Sequence, residues 1–232
     1  MERTISVTIG QGCLKHNNRV FIAENVDAAR LDRNVIFLER DIRAVYHELF
    51  DEAVDEYNAK QKRKDRKIQN YYEKIKSGRQ ERLFTEAIVQ IGNMKDSNCA
   101  MEEAELVKGI LTEYMQDFEE RNSSLKVFNA VLHMDEQTPH LHIDFIPFSE
   151  GNKRGMSTKV SLKMLQDGTW NRYLHEVDEE CHWEVEQAVR RIMEKEGVDE
   201  RLKAENPLEW VRRVNGIKMC VETEVKRRLC LE

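Results

Sequence analysis

The chain has 232 residues, of which 40% are hydrophobic and 34% are charged. No stretch approaches about 18 consecutive apolar residues, so a membrane-spanning protein is excluded. Its five cysteines are dispersed and form no C-x-x-C pair, which argues against a disulfide framework or a thiolate metal site and predicts reduced thiols in a cytoplasm.

The net charge of −6 argues weakly against a nucleic-acid partner, but the charge is unevenly distributed. Residues 60–82 contain ten Lys and Arg against three Asp and Glu, whereas residues 176–200 contain ten acidic residues against three basic ones. A basic segment that can bind DNA therefore precedes an acidic segment that would repel it.

The first third of the chain mixes predicted strands and helices. Residues 4–10 and 34–40 show the apolar patterns of two strands. Asp41 is placed to cap a helix over residues 41–60, which carries apolar side chains at helical spacing. After a basic run, residues 68–78 predict a short helix that ends at a glycine.

The middle of the chain continues this alternation. Residues 83–92 predict a third strand, and residues 99–122 predict an amphipathic helix of about six turns. Residues 125–135 and 140–148 predict two more strands, separated by a short turn that contains a proline. Beyond residue 160 the pattern is almost wholly helical.

These elements predict an α+β fold. We expect an antiparallel sheet of about five strands, flanked by helices, within a domain of residues 1–165. A helical extension over residues 166–232 follows it, and its acidic helices are interpreted as a surface for a homodimer or an accessory partner.

Three of the seven histidines lie in the stretch "HMDEQTPHLH". Because alternate side chains of a strand share a face, His140, His142 and Asp144 should point the same way. If the two strands pair antiparallel across the turn, His133 returns beside them. Three converging imidazoles are typical ligands of a divalent metal with open coordination positions. Glu136 and Asp144 are placed to ligate the metal or to orient an imidazole.

The same stretch fits the H-x-D-E-x-x-P-H-x-H signature of MobV-type relaxases, also called plasmid mobilisation and recombination (Pre/Mob) enzymes, within the HUH endonuclease superfamily. The segment "GCLKHNNR" resembles the N-terminal H-N-x-R motif of this family. The segments "FIAENVD" and "YHELFDEAVDEYNAKQKRKDR" resemble it as well. The resemblance covers most of residues 1–165.

The resemblance implies an enzyme that nicks and rejoins single-stranded DNA at a transfer origin and thereby mobilises a plasmid or mobile element. A protein nucleophile would keep the broken strand as a covalent 5′-phosphoryl-enzyme, which a 3′-hydroxyl can later attack. A divalent metal, Mn²⁺ or Mg²⁺, would draw charge from the phosphate oxygens. Imidazole ligands favour Mn²⁺ over Mg²⁺.

The resemblance also implies roles for individual residues. His16 of the H-N-x-R motif would be the nucleophile, and Arg19 would bind the phosphate through its planar fork. Glu136 joins them as a catalytic group, and Asp135 and Asp144 would hold the metal ligands in place. Tyr46 remains the alternative nucleophile, since most relaxases use tyrosine.

The DNA partner is expected to be a single strand or a hairpin at the transfer origin. The basic residues could contact phosphates, and a tyrosine among them could stack on a base. The alternative is a solvated helix face whose tyrosine packs in the core. The residues predicted to bind DNA are Lys62, Arg63, Lys64, Arg66, Lys67, Tyr71, Lys153 and Arg154.

Three other functions stay open at this point. A rolling-circle replication initiator shares the metal motif, but its tyrosine would follow the histidines, whereas His16 precedes them. A DNA-binding accessory protein without nicking activity would need a broken site, and the expected ligands are present. An ordinary metal hydrolase would release its product and would not need the basic segment.

Overall fold

The computed structural model of the chain describes residues 5–92, 98–100, 103–161, 187 and 189–229. The chain divides into two compact units, one of residues 3–163 and one that holds the residues from 164 onward.

The first unit is built on a six-stranded antiparallel sheet, which confirms the predicted fold class. Five strands follow the order β1-β3-β5-β4-β2, and a sixth pairs with the far end of β5. The sixth strand has only two residues, so no alternating pattern could predict it. The strands are β1 (Ile5–Gly10), β2 (Val35–Glu39), β3 (Thr85–Ile91), β4 (Leu125–His133), β5 (His140–Ser149) and β6 (Lys159–Val160).

The hairpin of β4 and β5 lies at the centre of this sheet. The two strands pair antiparallel, with His133 opposite His140 at the end next to the turn. Leu141, Ile143 and Phe145 of β5 are completely buried. The strand is therefore held on one face by the core, and its other face is free to carry polar side chains.

Five α-helices in the described part of this unit accompany the sheet, and the ends of two of them follow capping residues in the sequence. Asp41 accepts hydrogen bonds from the backbone N–H groups of Arg43 and Ala44, and Asn70 accepts one from Glu73. The helices are α1 (Leu14–Asn17), α2 (Ile42–Ala59), α3 (Tyr71–Ser77), α4 (Glu103–Gln116) and α5 (Phe118–Arg121).

The prediction of one unbroken helix over residues 99–122 was wrong. The chain leaves the helical conformation at Asp117, with φ −103° and ψ 9°, and α5 then begins. The break allows Phe118 to pack in the core, where it is completely buried and its ring lies 6.4 Å from that of Phe145. Amphipathic spacing alone does not reveal such a change of direction.

Helices α2 and α3 pack together around an aromatic core. The ring of Tyr46 lies 5.2 Å from that of Phe50 and 5.3 Å from that of Tyr72, and the rings of Phe50 and Tyr71 are 4.9 Å apart. All four side chains are less than 10% exposed. This cluster anchors both helices to the first unit.

The described part of the second unit is almost wholly helical, as predicted, with short breaks at residues 197–199 and 206. A helical stretch over 189–196 is followed by α6 (Glu200–Glu205) and α7 (Pro207–Leu229). It has a small core of its own, formed by Val189, Val198, Val214, Ile217 and Val221. Much of the predicted acidic surface falls between residues 176 and 186, outside the described residues. None of the described helices combines the length and apolarity needed to cross a membrane.

Candidate active site

Three imidazoles converge at the turn end of the central hairpin, as the strand pattern predicted. The ring centroids of His133 and His142 are 4.5 Å apart, those of His140 and His142 are 4.9 Å apart, and those of His133 and His140 are 5.2 Å apart. All three side chains are buried or nearly so. The antiparallel register places His133 directly beside His140 and so creates the cluster.

Backbone carbonyls fix the proton position on two of these rings. Nε2 of His133 lies 2.8 Å from the carbonyl oxygen of Asn17, and Nδ1 of His140 lies 2.8 Å from that of Thr138. A carbonyl oxygen can only accept, so these two nitrogens carry the protons. The lone pairs therefore lie on Nδ1 of His133 and on Nε2 of His140.

The third ring is oriented by a carboxylate that the sequence analysis missed. Nδ1 of His142 lies 2.8 Å from Oε1 of Glu86, which leaves Nε2 of His142 free. Nε2 of His142 and Nδ1 of His133 are both buried without a hydrogen-bond partner. Converging imidazole nitrogens without hydrogen-bond partners are suitable ligands for a divalent cation. The opposite nitrogen of each ring is hydrogen-bonded, as is usual for metal-bound histidines.

Burial also keeps His133 and His140 neutral. Loss of solvent, followed by the nearby charge of His142, lowers the pKa of His133 to about 2, and burial lowers the pKa of His140 in the same way. Only a neutral imidazole offers a lone pair to a metal. His133 and His140 are thus ready to bind a metal at neutral pH.

Glu136 completes a set of possible ligands. Its Oε1 lies 3.8 Å from Nδ1 of His133 and 3.8 Å from Nε2 of His140. Two groups of side chains have ligand atoms that all lie within 4.8 Å of one another. They are His133, Glu136 and His140, and His16, His133 and His142.

His16 lies at the edge of this cluster. Its ring centroid is 5.6 Å from that of His133 and 5.7 Å from that of His142, and its Nε2 is 3.3 Å from Oε1 of Glu136. The side chain keeps 26% of its surface exposed. Burial and then the charge of Arg19 lower the pKa of His16. It is therefore a neutral, accessible imidazole beside the ligand set.

The guanidinium of Arg19, predicted to bind the phosphate, contacts carboxylates in the structure. Its backbone follows α1 in the left-handed region, with φ 50°, and its guanidinium forms a paired contact with Asp135, at 2.5 Å and 2.7 Å. A further N–H donates to Glu136 at 2.8 Å. The guanidinium of Arg19 is already bound to carboxylates. It therefore orients Glu136 and is not free to bind a phosphate. Asp135 accordingly holds Arg19, not an imidazole.

Asp144 lies on the predicted face, but it bonds to amides rather than to an imidazole. Its Oδ2 accepts hydrogen bonds from Asn17 at 2.9 Å and from Asn129 at 2.8 Å. The amide of Asn17 also donates to Oε1 of Glu86 at 2.7 Å. Burial raises the pKa of Asp144 to about 6. This network ties α1, and with it His16, to strands β3 and β5.

Gly12 lets α1 approach that network closely. A Cβ at this position would collide with Oδ1 of Asp144 and come within 3.1 Å of the Cβ of Glu86. We expect Gly12→Ala to lower the free energy of unfolding by about 1–3 kcal/mol, as overpacked substitutions do, measured by urea denaturation. Gly10→Ala is the control, since nothing lies within 4 Å of a Cβ there. Equal stability of the two variants would contradict the close approach.

Two tyrosines lie in the core instead of at the site. Tyr46 is 2% exposed and its hydroxyl donates to the carbonyl of Leu83 at 2.8 Å. Burial raises its pKa far above that of a free tyrosine. Tyr71 is 8% exposed, and its hydroxyl oxygen accepts from the backbone N–H of Val160. The structure thus argues against Tyr46 as nucleophile, and the burial of Tyr71 argues against its stacking on a base.

The predicted DNA-binding cations are all exposed, and they lie in two loops. Residues 62–67 connect α2 to α3 and include an ion pair between Arg63 and Asp65. Lys153 and Arg154 follow β5. Arg154 lines a cleft of about 450 Å³ whose wall also contains three further cations, Lys74, Arg79 and Lys159. Arg154 therefore shares a basic cleft with residues that the sequence analysis did not single out.

Comparison with known protein families decides the assignment. The Mob_Pre family, described as plasmid recombination enzymes, matches residues 13–200. The chain belongs to the Mob_Pre family of plasmid recombination enzymes. This confirms the resemblance seen in the sequence and makes the chain a DNA relaxase by family. The matched residues include both the H-N-x-R motif and the histidine hairpin.

Solved structures of the MobM relaxase domain (MOBV; Mob_Pre), bound to oriT DNA of plasmid pMV158, are similar to this chain. A Mn-bound complex with 23-nucleotide DNA is 24% identical, with a TM-score of 0.43 over 75% of this chain and 80% of that one. A Mn-bound complex with 22-nucleotide DNA is 23% identical, with a TM-score of 0.41 over 85% of this chain and 88% of that one. No curated protein matches the chain.

Proposed function

We propose that this Mob_Pre enzyme nicks and rejoins one DNA strand at a transfer origin, with His16 as the nucleophile and a divalent metal held by His133, His140 and His142. The observation that carries the proposal is the juxtaposition of a neutral, partly exposed His16 with buried imidazoles whose free nitrogens converge. Manganese suits imidazole and carboxylate ligands better than magnesium does.

The covalent step follows from this arrangement. One ring nitrogen of neutral His16 attacks the scissile phosphorus, an N–P bond forms, and the bond from phosphorus to the 3′ oxygen breaks. The 3′ oxygen takes up a proton as the imidazole releases the one on its other nitrogen. The 5′ end stays bound to the protein as a phosphoramidate, and a 3′-hydroxyl can reverse the reaction. A bound divalent cation would stabilise the charge on the non-bridging oxygens.

The residues around His16 keep it in place for this attack. The hydrogen bonds from Asn17 to Glu86 and Asp144 hold α1 against the sheet. Arg19 fixes the position of Glu136, whose carboxylate lies between His16 and the metal-ligating histidines. Such fixed positioning contributes to catalysis because the reacting groups need no further reorganisation.

The test is to trap the intermediate. End-labelled single-stranded DNA carrying the candidate origin sequence is mixed with the protein in Mn²⁺ or in chelator. We expect metal-dependent cleavage together with a protein–DNA adduct that survives denaturation. Cleavage without an adduct would show a metal hydrolase, and binding without cleavage would show an accessory protein. Either outcome would refute the proposed transesterification.

We further propose that the cleft around Arg154 carries part of the DNA backbone. Its four cations, Lys74, Arg79, Arg154 and Lys159, have no acidic partner among the described residues, and Glu81 is the one acid in its wall. Cations grouped in this way bind phosphates and release counterions, which makes binding depend on salt. The exposed residues 62–67 and Lys153 would extend this basic surface.

We expect Arg79→Gln combined with Arg154→Gln to weaken binding of single-stranded DNA. The slope of log K against log salt concentration should fall by about 1.4, because each lost phosphate contact contributes about 0.7 for single strands. Lys62→Gln combined with Lys64→Gln removes the same charge outside the cleft and should change the slope less. Fluorescence anisotropy at several salt concentrations measures the slope for both double variants. A larger fall in slope for the Lys62 and Lys64 variant would show that the DNA binds outside the cleft.

The two parts of the chain would then have different roles. Residues 1–165 form the catalytic domain, and residues 166–232 provide a surface for a second copy or an accessory protein. The excess of acidic residues over residues 176–200 favours a protein partner rather than DNA for this part of the chain. A cytoplasmic location, where the plasmid DNA resides, follows from this function and stays a prediction.

A further inference from the structure

Three consecutive apolar side chains are exposed directly after the H-N-x-R motif. Val20 is 71% exposed, Phe21 is 48% exposed and Ile22 is 55% exposed. Single exposed apolar residues are common, but a run of three that includes an aromatic ring points to a contact surface. We call residues 20–22 the apolar step.

The apolar step is held close to His16 by a defined turn. Arg19 adopts φ 50°, and the backbone N–H of Val20 then donates to the carbonyl of Lys15 at 2.8 Å. This arrangement closes α1 with a left-handed residue, and the side-chain contacts of Arg19 with Asp135 secure it. The chain therefore leaves α1 in a fixed direction.

Phe21 consequently lies beside the proposed nucleophile. Its ring centroid is 6.4 Å from that of His16, and the two planes are inclined by 53°. The Phe21 ring does not cover the cluster, because His16 keeps 26% of its side chain exposed. A molecule that contacts His16 from solvent therefore comes close to the half-exposed side chain of Phe21.

We propose that Phe21, flanked by Val20 and Ile22, stacks on an unpaired base next to the scissile phosphate. The proposal rests on the proposed function, since it needs a phosphodiester at His16. In a single strand each phosphate is linked to a base through one sugar, so a phosphate at His16 brings a base to the apolar step. Aromatic side chains bind single strands by such stacking, whichever base is present.

The size of the apolar step favours a base over a protein partner. Three side chains cover far less than the roughly 800 Å² that each partner buries in a stable protein interface. The neighbouring groups are a histidine cluster and paired charges, which suit a phosphate and its sugar. Phe21 would thus position the strand, whereas His16 reacts with it.

The experiment uses the full chain and a single-stranded oligonucleotide on which cleavage by the wild-type enzyme has been mapped. The fluorescent base analogue 2-aminopurine replaces each nucleotide next to the nick in turn, and binding is followed in chelator. We expect its fluorescence to be quenched by the wild-type protein and by Phe21→Trp, but not by Phe21→Ala. In cleavage assays Phe21→Ala should raise KM about tenfold with little change in kcat, and Phe21→Trp should restore it.

Leu208→Ala is the matched control, because it removes an exposed apolar side chain from α7. It should leave quenching and KM unchanged. Equal quenching by Phe21→Ala and the wild type would overturn the inference, and so would a dimer that only Phe21→Ala dissociates. If the wild-type chain cleaves no DNA, the proposed function fails first. If it cleaves and the Phe21 variants behave alike, only the base-stacking role fails.

Discussion

His16→Gln should abolish the covalent adduct and lower the rate of strand cleavage by at least about a thousandfold, as loss of a nucleophile does in other enzymes. The physical reason is that His16 is a partly exposed imidazole directly beside the buried rings of His133 and His142. Glutamine keeps a polar side chain without a nucleophilic nitrogen. Denaturing gels with labelled DNA measure both quantities.

Tyr46→Phe is the control for this prediction. It removes the hydroxyl of the alternative nucleophile and one hydrogen bond to the Leu83 carbonyl. We expect a small loss of stability and normal adduct formation. Adduct formation that survives in His16→Gln but disappears in Tyr46→Phe would reverse the assignment, and Tyr46 would then have to leave the aromatic core during the reaction.

Mn²⁺ should stabilise the wild-type protein against heat, whereas His140→Ala should lose most of that effect and most of its cleavage activity. A ligand that binds only the folded state at 100 times its Kd adds about 2.7 kcal/mol to the free energy of unfolding. Removing one imidazole from the set weakens binding and lowers this gain. Differential scanning calorimetry in chelator and in Mn²⁺ measures the shift in Tm without reference to activity.

His47→Ala is the matched control, because His47 is an exposed histidine on α2 that pairs with Asp51. Its metal-induced shift in Tm should equal that of the wild type. Because His140→Ala also removes a buried ring and its hydrogen bond to the Thr138 carbonyl, the quantity compared is the Mn²⁺-induced shift in Tm of each variant and not the Tm in chelator. A full Mn²⁺ shift in His140→Ala would exclude this histidine as a ligand.

The sequence was enough to predict the histidine hairpin, because all the information is local. Alternation put His140 and His142 on one face, and the short turn returned His133 to them. The same reasoning could not find Glu86, which lies on β3 and reaches His142 only because β3 pairs with β5. A glutamate within the apolar strand "TEAIVQI" was the available signal, but its partner depended on strand order.

Other differences also arise from long-range contacts. Arg19 was expected to bind phosphate, yet Asp135, 116 residues away in sequence, takes its guanidinium. Tyr71 was considered for base stacking because it follows a basic run, but the contact between α2 and α3 buries it beside Phe50. Charge and residue type identified candidate segments, whereas tertiary packing decided which side chains are exposed.

The central claim is that His16 carries the DNA, and the most direct measurement is the identity of the modified residue. The wild-type adduct formed in Mn²⁺ is digested with a nuclease and a protease, and mass spectrometry locates the remaining nucleotide. We predict that it lies on the peptide containing His16, and that the bond survives base but is lost in acid, as expected for a phosphoramidate. A nucleotide on a tyrosine-containing peptide, stable in acid, would contradict the account.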